Sequence, residues 1–355
     1  MRWRKRPLVA EPCTLDRPLV LRGHLWVGDG AEHPDGVLAV GVDGTVAGCG
    51  PRDDVDVPGD AVVVDAAWVG PGVVDHHVHL AFGDPQEMFA AGVVAVRDLG
   101  APPADAARWR RLTAPRAEVA GPLLTAPGGY PSRSWGQAGF AAFVDDPAQA
   151  TQLVEGLAGQ VDVVKLALEP RGGPVPTPEV ARAVVAAAHA AGKPVTAHAL
   201  TAAMVERALD AGVDELAHMP VEVLPEELIE RLASSGTRVV STMQTLLRDS
   251  SSGGVLVNAK ALVAAGVDVR YGTDLGNAGT KPGVDPGELR LLADAGLGAD
   301  GALRAATRPI QISAPAAVVA LSAEPRSDPQ VWRRPVAVAC GQTALIRSRK
   351  ASQAD

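Results

Sequence analysis

The chain has 355 residues, of which 47% are hydrophobic and 21% are charged, and its formal net charge is −8. This composition is that of an ordinary folded protein and excludes wholesale disorder, and the length suits one large barrel or two average domains. The negative charge argues against nucleic acids and anionic membranes as partners. The sequence contains no run of eighteen apolar residues, so no membrane span is predicted. Three well-separated cysteines without a CxxC pair predict a cytoplasmic protein that has neither disulfides nor a cysteine metal site.

The first seventy residues have the pattern of short strands joined by turns. "GVLAVGVDGTVAGCGP" contains β-branched runs broken by Gly and Asp, including the hairpin-type turn "VDGT". Residues 1–70 are therefore expected to form part of a small β domain. The basic start "MRWRKRPLVAEPC" is followed by an apolar run that is too short for a signal-peptide core.

From Pro71 the pattern changes to apolar strands that alternate with Ala-rich helices. Eight strands are predicted, at 72–80, 93–100, 118–127, 161–168, 194–200, 214–219, 237–243 and 267–274. Strands of this kind between helices indicate an α/β fold, a parallel (β/α)8 TIM barrel over residues 71–309. Helix boundary signals agree: Pro225 and Gly236 flank one predicted helix, and Asp285 is a candidate N-cap for another.

After about Arg308 the alternation stops and strand-like segments return. We expect residues 310–348 to join residues 1–70 in one small, discontinuous β-sandwich domain, which is abbreviated at this end. Residues 349–355 are predicted to be a loose tail.

Polar side chains stand near the ends of five of the predicted strands, where a parallel barrel opens into its active site. His77 and His79 are two residues apart and share one face of the first strand, whereas His76 should face the outer layer. A lone buried histidine is more often a hydrogen-bonded core residue, and an unpaired buried lysine is costly. All six together favour a metal site: His77, His79, Lys165, His198, His218 and Asp274.

Other residues are weaker candidates. Tyr130 and Arg133 lie in the loop 127–140 and are candidate substrate contacts, although a plain surface loop is an equally good reading. Arg97 and Asp98 are expected to form a packed ion pair. Spacing leaves open whether Glu169 reaches the site.

Six segments together resemble the motif set of the amidohydrolase superfamily, in the branch of imidazolonepropionase-like enzymes and Xaa-Pro or Xaa-Arg dipeptidases: "PGVVDHHVHL", "VRDLG", "VDVVKLAL", "GKPVTAHAL", "DELAHM" and "YGTDLG". The resemblance covers almost the whole chain and implies two divalent metal ions. His77, His79 and Asp274 would bind the more buried ion, and His198 and His218 would bind the other. It also implies that carbon dioxide carboxylates Lys165 to a bridging carbamate.

The activity implied by the resemblance is hydrolysis of an amide, cyclic amide or other C–N bond by a metal-bridging hydroxide, with Asp274 carrying the proton. The substrate would be a small molecule, with dipeptides and N-acyl amino acids among the candidates. Ligation by nitrogen and oxygen alone favours zinc. No nucleic-acid or membrane partner is expected, and a homo-oligomer stays open.

Two alternatives remain. A mononuclear deaminase of the same superfamily would use His77, His79, His198 and Asp274, but it has no need of Lys165. A catalytically silent binding or assembly relative would tend to have lost ligands, and this chain has all six. The chain also departs from its relatives after the lysine, where "LEPRGGPVPTP" replaces their usual "TGG", and in its short return to the final strands.

Overall fold

The computed structural model describes residues 11–248 and 252–347, so the predicted tail at 349–355 lies outside the described residues. The chain begins with five strands: β1 (Cys13–Thr14), β2 (Leu19–Trp26), β3 (Glu32–Val40), β4 (Val46–Pro51) and β5 (Val62–Pro71). Ten more follow: β6 (Val73–Val78), β7 (Val93–Asp98), β8 (Arg116–Val119), β9 (Leu123–Thr125), β10 (Ala141–Phe143), β11 (Val164–Leu168), β12 (Val195–Ala199), β13 (Glu215–Leu216), β14 (Arg238–Val240) and β15 (Val269–Arg270). The last three are β16 (Ala317–Leu321), β17 (Ala337–Cys340) and β18 (Thr343–Ile346).

The helices lie mainly between the middle strands: α1 (Pro85–Ala90), α2 (Pro103–Trp109), α3 (Pro147–Leu157), α4 (Pro178–Ala190), α5 (Ala202–Ala211), α6 (Glu226–Ser235), α7 (Met243–Leu246), α8 (Val255–Ala264), α9 (Pro286–Leu292) and α10 (Gly298–Ala306). Short 3-10 helices occupy Arg52–Asp54, Leu80–Phe82, Pro170–Gly172 and Pro329–Arg333, and a π-helical turn at Ala293–Leu297 joins α9 to α10. As predicted, Pro225 and Gly236 flank α6, and the Asp285 side chain caps α9 by accepting from the Gly287 N–H. Within the described part of the chain, no helix is long and apolar enough to cross a bilayer.

The two ends of the chain share one sheet. Its eight strands run in the order β1-β18-β17-β16-β5-β2-β3-β4, and β16 pairs antiparallel with β5 in a register that places Val318 opposite Pro71. Leu19, Leu38 and Val318 belong to one buried apolar cluster of this sheet. The β-rich part of the molecule is therefore built from both termini.

The middle strands form two parallel sheets, β6-β7-β8 and β10-β9-β11-β12-β13-β14-β15. All eight predicted strands contribute, and the third is divided into β8 and β9 at Gly121–Pro122, where proline cannot donate to a ladder. Hydrogen bonds bring the last strand segment beside the first: the His76 N–H donates to Tyr271 O at 3.1 Å, and the Asp274 N–H donates to His77 O at 2.8 Å.

Side chains alternate between the two faces of the parallel strands, so that one face is apolar and the other carries the candidate metal-binding residues. Val164, Leu166 and Leu168 of β11 belong to the large hydrophobic cluster that also contains residues of α4. Side chains of successive strand residues point to opposite faces, so Lys165 points away from this cluster. The same alternation in β12 places His198 on the other face of the strand from Ala197 and Ala199, which belong to the apolar cluster.

Arg97 and Asp98 do not pair with each other, so the predicted ion pair is wrong. Arg97 instead donates to Glu118 and Glu215, at 2.8 and 2.9 Å, whereas the Asp98 carboxylate accepts from the backbone N–H of Leu80 at 2.7 Å. The reason is again alternation, which sends neighbouring side chains of β7 to opposite faces.

The prediction that His76 faces the outer layer is also wrong. His76 is buried and lines a cavity of about 1210 Å³ together with Arg97, Glu118 and residues of the mixed sheet. The pairing of β6 with β7 shifts register between Asp75 and Val78, so simple alternation does not hold over this stretch. Burial, followed by the charge of nearby arginines such as Arg97, holds the pKa of His76 well below its ordinary value.

Glu288 supports the loop that follows β14, and its removal should destabilise the fold. Its carboxylate is fully buried and accepts from the N–H groups of Met243 and Gln244, at 2.9 and 2.7 Å. Glu288→Ala leaves the buried N–H of Met243 and the half-buried N–H of Gln244 without this acceptor, and we expect the free energy of unfolding to fall by about 2–4 kcal/mol. Denaturant unfolding measures this loss. Glu288→Gln keeps one acceptor oxygen and should lose less; an alanine variant as stable as the wild type would contradict this account.

Candidate metal centre

Asp274 stands at the centre of the histidine cluster. Its Oδ1 lies 3.3 Å from His77 Nε2 and 3.4 Å from His79 Nε2, and all three side chains are buried. Asp274 adopts a left-handed backbone conformation, with φ of 53°, which is uncommon for a residue other than glycine. The hydrogen bond from its N–H to His77 O fixes this turn against β6.

The contact between His77 and Asp274 lacks a proton. His77 Nδ1 lies 2.8 Å from Ala217 O, and a carbonyl oxygen can only accept, so Nδ1 carries the hydrogen. Burial, only partly opposed by the charge of Asp274, holds the pKa of His77 well below its ordinary value, and the ring is neutral. Nε2 therefore presents a lone pair to a carboxylate oxygen, and both atoms are buried without a hydrogen-bond partner in the described part of the chain. A cation between two facing acceptors stabilises them, so the site fits a metal ion.

The carboxylate of Asp274 is ionised at neutral pH. Burial acts to raise its pKa, but the positive charges that His77, His79 and His218 carry when they are protonated at low pH outweigh burial and hold the pKa well below its ordinary value. One ligand atom each from His77, His218 and Asp274 lies within 4.8 Å of the others. These three residues could hold one ion.

His198 and His218 extend the cluster. Their ring centres are 4.6 Å apart, and the His218 ring lies 4.5 Å from that of His77. His198 Nε2 lies 3.2 Å from Glu169 Oε2, and His218 Nδ1 lies 3.0 Å from Thr242 Oγ1. One ring nitrogen of each histidine is thus engaged and the other is free, which is the usual arrangement of metal-binding imidazoles.

Glu169 reaches the site, which the sequence had left open. Burial acts to raise its pKa, but hydrogen bonds from His198 and Arg171 outweigh burial and lower the pKa to about 2. The resulting carboxylate can fix the orientation of the His198 ring.

Lys165 is buried beside the histidines with no partner for its Nζ among the described residues. Burial lowers its pKa to about 7, against the opposing charges of Asp274 and Glu215. A buried ammonium without a counter-ion is costly, so the amine is readily neutral.

Asp75 connects the first strand to the turn that carries Asp274. It accepts from the Thr273 hydroxyl at 2.6 Å, from the Thr273 N–H at 3.0 Å and from the His77 N–H at 3.1 Å. It does not face the cluster itself. Its role is to hold His77 and Asp274 at a fixed separation.

The cluster opens into a cavity of about 750 Å³ with one aromatic wall. Tyr130, Trp135 and Phe82 line it, and the Trp135 Nε1–H donates to the Tyr130 hydroxyl at 3.2 Å. The ring centre of Tyr130 lies 5.0 Å from that of His198. Arg133 is exposed and does not line this cavity.

The sequence did not single out Phe82, Trp135 or Arg248, which also line the cavity. For Trp135, the relevant signal was the aromatic content of the 127–140 loop; for Arg248, it was the position of the 244–254 segment after the seventh predicted strand. The larger cavity beside His76 is a weaker candidate site because its buried arginine, Arg97, is already paired with acids.

One family profile matches most of this chain. The sequence profile described as the amidohydrolase family matches residues 68–309. An uncharacterized protein of Mycobacterium tuberculosis is 28% identical over 326 residues, covering 79% of this chain and 85% of that protein.

Two solved structures show the same fold at low identity. A Xaa-Pro dipeptidase with bound methionine in its active site has a TM-score of 0.79 and 19% identity, over 92% of this chain and 99% of that one. The ochratoxinase of A. niger has a TM-score of 0.79 and 18% identity, over 92% and 95%. This similarity indicates a TIM barrel with a β-rich domain. Because the family profile covers most of the chain, the chain belongs to the amidohydrolase family and is a metal-dependent amidohydrolase.

Proposed function

We propose that this enzyme hydrolyses an amide, cyclic amide or related C–N bond of a small molecule at a centre of two divalent ions, with zinc as the first choice. The observation that carries the proposal is the pair His77 Nε2 and Asp274 Oδ1, which lie 3.3 Å apart and are both buried without a hydrogen-bond partner among the described residues. Nitrogen and oxygen ligands of this type suit zinc, and manganese, cobalt or iron are alternatives.

The six residues divide between two positions. His77, His79 and Asp274 would hold the more buried ion, and His198 and His218 the more exposed one. Lys165 would bridge them after its neutral amine attacks carbon dioxide, forming an N–C bond and losing one proton to give a carbamate. The buried, partnerless Nζ supports this step, because a bridging anion resolves the cost of an unpaired ammonium.

When bound, divalent ions polarise a carbonyl and lower the pKa of water toward about 7. The protein's own groups then handle the proton and the substrate. The ionised Asp274 can take a proton from the attacking water and deliver it to the leaving nitrogen. Burial raises the pKa of Tyr130 above its ordinary value, so its hydroxyl keeps its proton. That oxygen accepts from Trp135, which leaves the Tyr130 O–H free to donate to the substrate carbonyl.

The proposal extends to the architecture. We propose that the parallel strands close into one (β/α)8 barrel over residues 71–309, supported by the hydrogen bonds between β6 and the segment after β15. Residues 1–70 and 310–348 would then form the β domain. A cytoplasmic location and a homo-oligomer stay predictions.

Lys165→Ala tests the carbamate bridge. We expect the variant to lose metal and to lose hydrolytic activity by about 100-fold or more, because the bridging anion disappears. Elemental analysis and a hydrolysis assay measure the two effects. Lys260→Ala, which removes an exposed lysine of α8, is the matched control and should change neither. Full activity in Lys165→Ala would exclude the bridge.

His77→Ala and His76→Ala separate the ligand from its neighbour. We expect His77→Ala to retain less metal, because the lone pair facing Asp274 is removed. His76→Ala should keep the wild-type metal content, since its side chain lines the other cavity. Circular dichroism confirms that both variants fold. Equal metal loss in the two variants would argue against this assignment.

A further inference from the structure

The short helix α7 begins without a cap from the residue that precedes it. An N-cap threonine normally accepts a hydrogen bond from an N–H group of the first helical turn. Thr242 occupies this position, but its side chain makes no capping hydrogen bond to α7, all of whose residues the structure describes. Its φ of 44° lies in the left-handed region, which a β-branched residue rarely adopts. The hydroxyl of Thr242 is thus available to a group outside the helix.

That group is a candidate metal ligand. Thr242 Oγ1 lies 3.0 Å from His218 Nδ1. A neutral imidazole has one N–H and one lone pair, so a hydrogen on Nδ1 that is donated to Thr242 leaves the lone pair on Nε2. A partner of this kind fixes both the tautomer and the ring orientation of a metal-binding histidine. Thr242 is therefore placed to hold His218 ready for a metal ion.

A residue of another helix supplies the cap that Thr242 does not. Glu288 of α9 is fully buried, and its two carboxylate oxygens accept from the N–H groups of Met243 and Gln244, at 2.9 and 2.7 Å. These are the first two N–H groups of α7, and such groups have no acceptor within their own helix. Because Glu288 accepts both hydrogen bonds, the Thr242 hydroxyl is not needed there.

Helix α7 also contacts the turn that carries Asp274. The Thr245 hydroxyl donates to Thr273 O at 2.8 Å, and Thr273 directly precedes Asp274. One ligand atom of Asp274 lies within 4.8 Å of a ligand atom of His218. The position of α7 is thus linked by hydrogen bonds to two neighbouring candidate ligands.

We propose that Glu288 is a positioning residue of the metal centre, which caps α7 and thereby keeps the Thr242 hydroxyl on His218. Glu288 does not line the cavity of the centre, so its effect on the metal passes through α7 and Thr242. When its acceptor oxygens are lost, the N–H groups at the start of α7 compete for the Thr242 hydroxyl, and His218 loses its partner. This inference rests on the proposed function, because the role exists only where His218 binds a metal ion.

Zinc affinities in a double-mutant cycle test this role. Wild type, Glu288→Gln, Thr242→Val and the double variant are titrated with Zn²⁺ against a chromophoric chelator, after circular dichroism has shown that each is folded. Loss of the partner of a metal-binding histidine weakens metal affinity, so we expect Thr242→Val to raise one zinc Kd by about 10-fold or more. Glu288→Gln puts an NH2 group, which cannot accept, in place of one oxygen, and should raise the same Kd by about 3- to 10-fold.

The double variant separates a positioning role from a merely structural one. If both residues act through His218, its zinc Kd should stay within about twofold of that of Thr242→Val, because the two effects do not add in free energy. Thr242→Ser keeps the hydroxyl and should restore the wild-type affinity.

Asp146→Asn is the matched control. The Asp146 carboxylate also accepts from two N–H groups at the start of a helix, those of Ala148 and Gln149, both at 2.9 Å, and it does not line the cavity. This variant should keep the wild-type zinc affinity.

Three results would overturn the positioning role and leave the proposed hydrolase standing: wild-type affinity in Glu288→Gln, effects that multiply in the double variant, or an equal loss in Asp146→Asn. A wild-type protein that binds no zinc would overturn the proposed metal centre itself.

Discussion

The close contact between two buried atoms, His77 Nε2 and Asp274 Oδ1, is the constraint on which the candidate metal centre depends. His77 donates its Nδ1 hydrogen to Ala217 O, and Asp274 is ionised. The lone pair of His77 Nε2 therefore lies 3.3 Å from the negatively charged Asp274 Oδ1. In a buried site such a contact is unfavourable unless a cation lies between the two groups. The turn at Asp274 and the hydrogen bonds of Asp75 maintain this separation. The fold thus stabilises an arrangement that fits a bound cation.

The remaining parts of the site follow from that constraint. Imidazoles bind cations best when their second nitrogen is engaged, and His198 and His218 are engaged by Glu169 and Thr242. In the proposed centre, carboxylation would turn the buried Lys165 into an anion beside the cations, which would give this lysine a chemical role. The aromatic wall and Arg248 line the same cavity from the loops. The candidate metal ligands therefore lie at strand ends, and loop residues form the cavity around them.

This division also explains what the sequence could predict. Strand ends were predictable, because apolar periodicity locates the strands and parallel topology brings their C-terminal ends together. Alternation failed at His76, where a register shift in β6 changes which face the side chain occupies. Alternation along β7 also places Arg97 and Asp98 on opposite faces, and the predicted ion pair between them overlooked this rule. Arg248 could not be found from sequence, since its position depends on carbonyls some thirty residues away. Loop geometry of this kind is a tertiary property and leaves no periodic signal.

The metal content of protein purified without chelator tests the central claim most directly. Elemental analysis should find about two divalent ions per chain, as expected for a bridged binuclear centre. About one ion would contradict the bridge and favour the mononuclear deaminase. No metal, with none taken up after zinc and bicarbonate are supplied, would mean that the facing lone pairs of His77 and Asp274 do not form a metal centre.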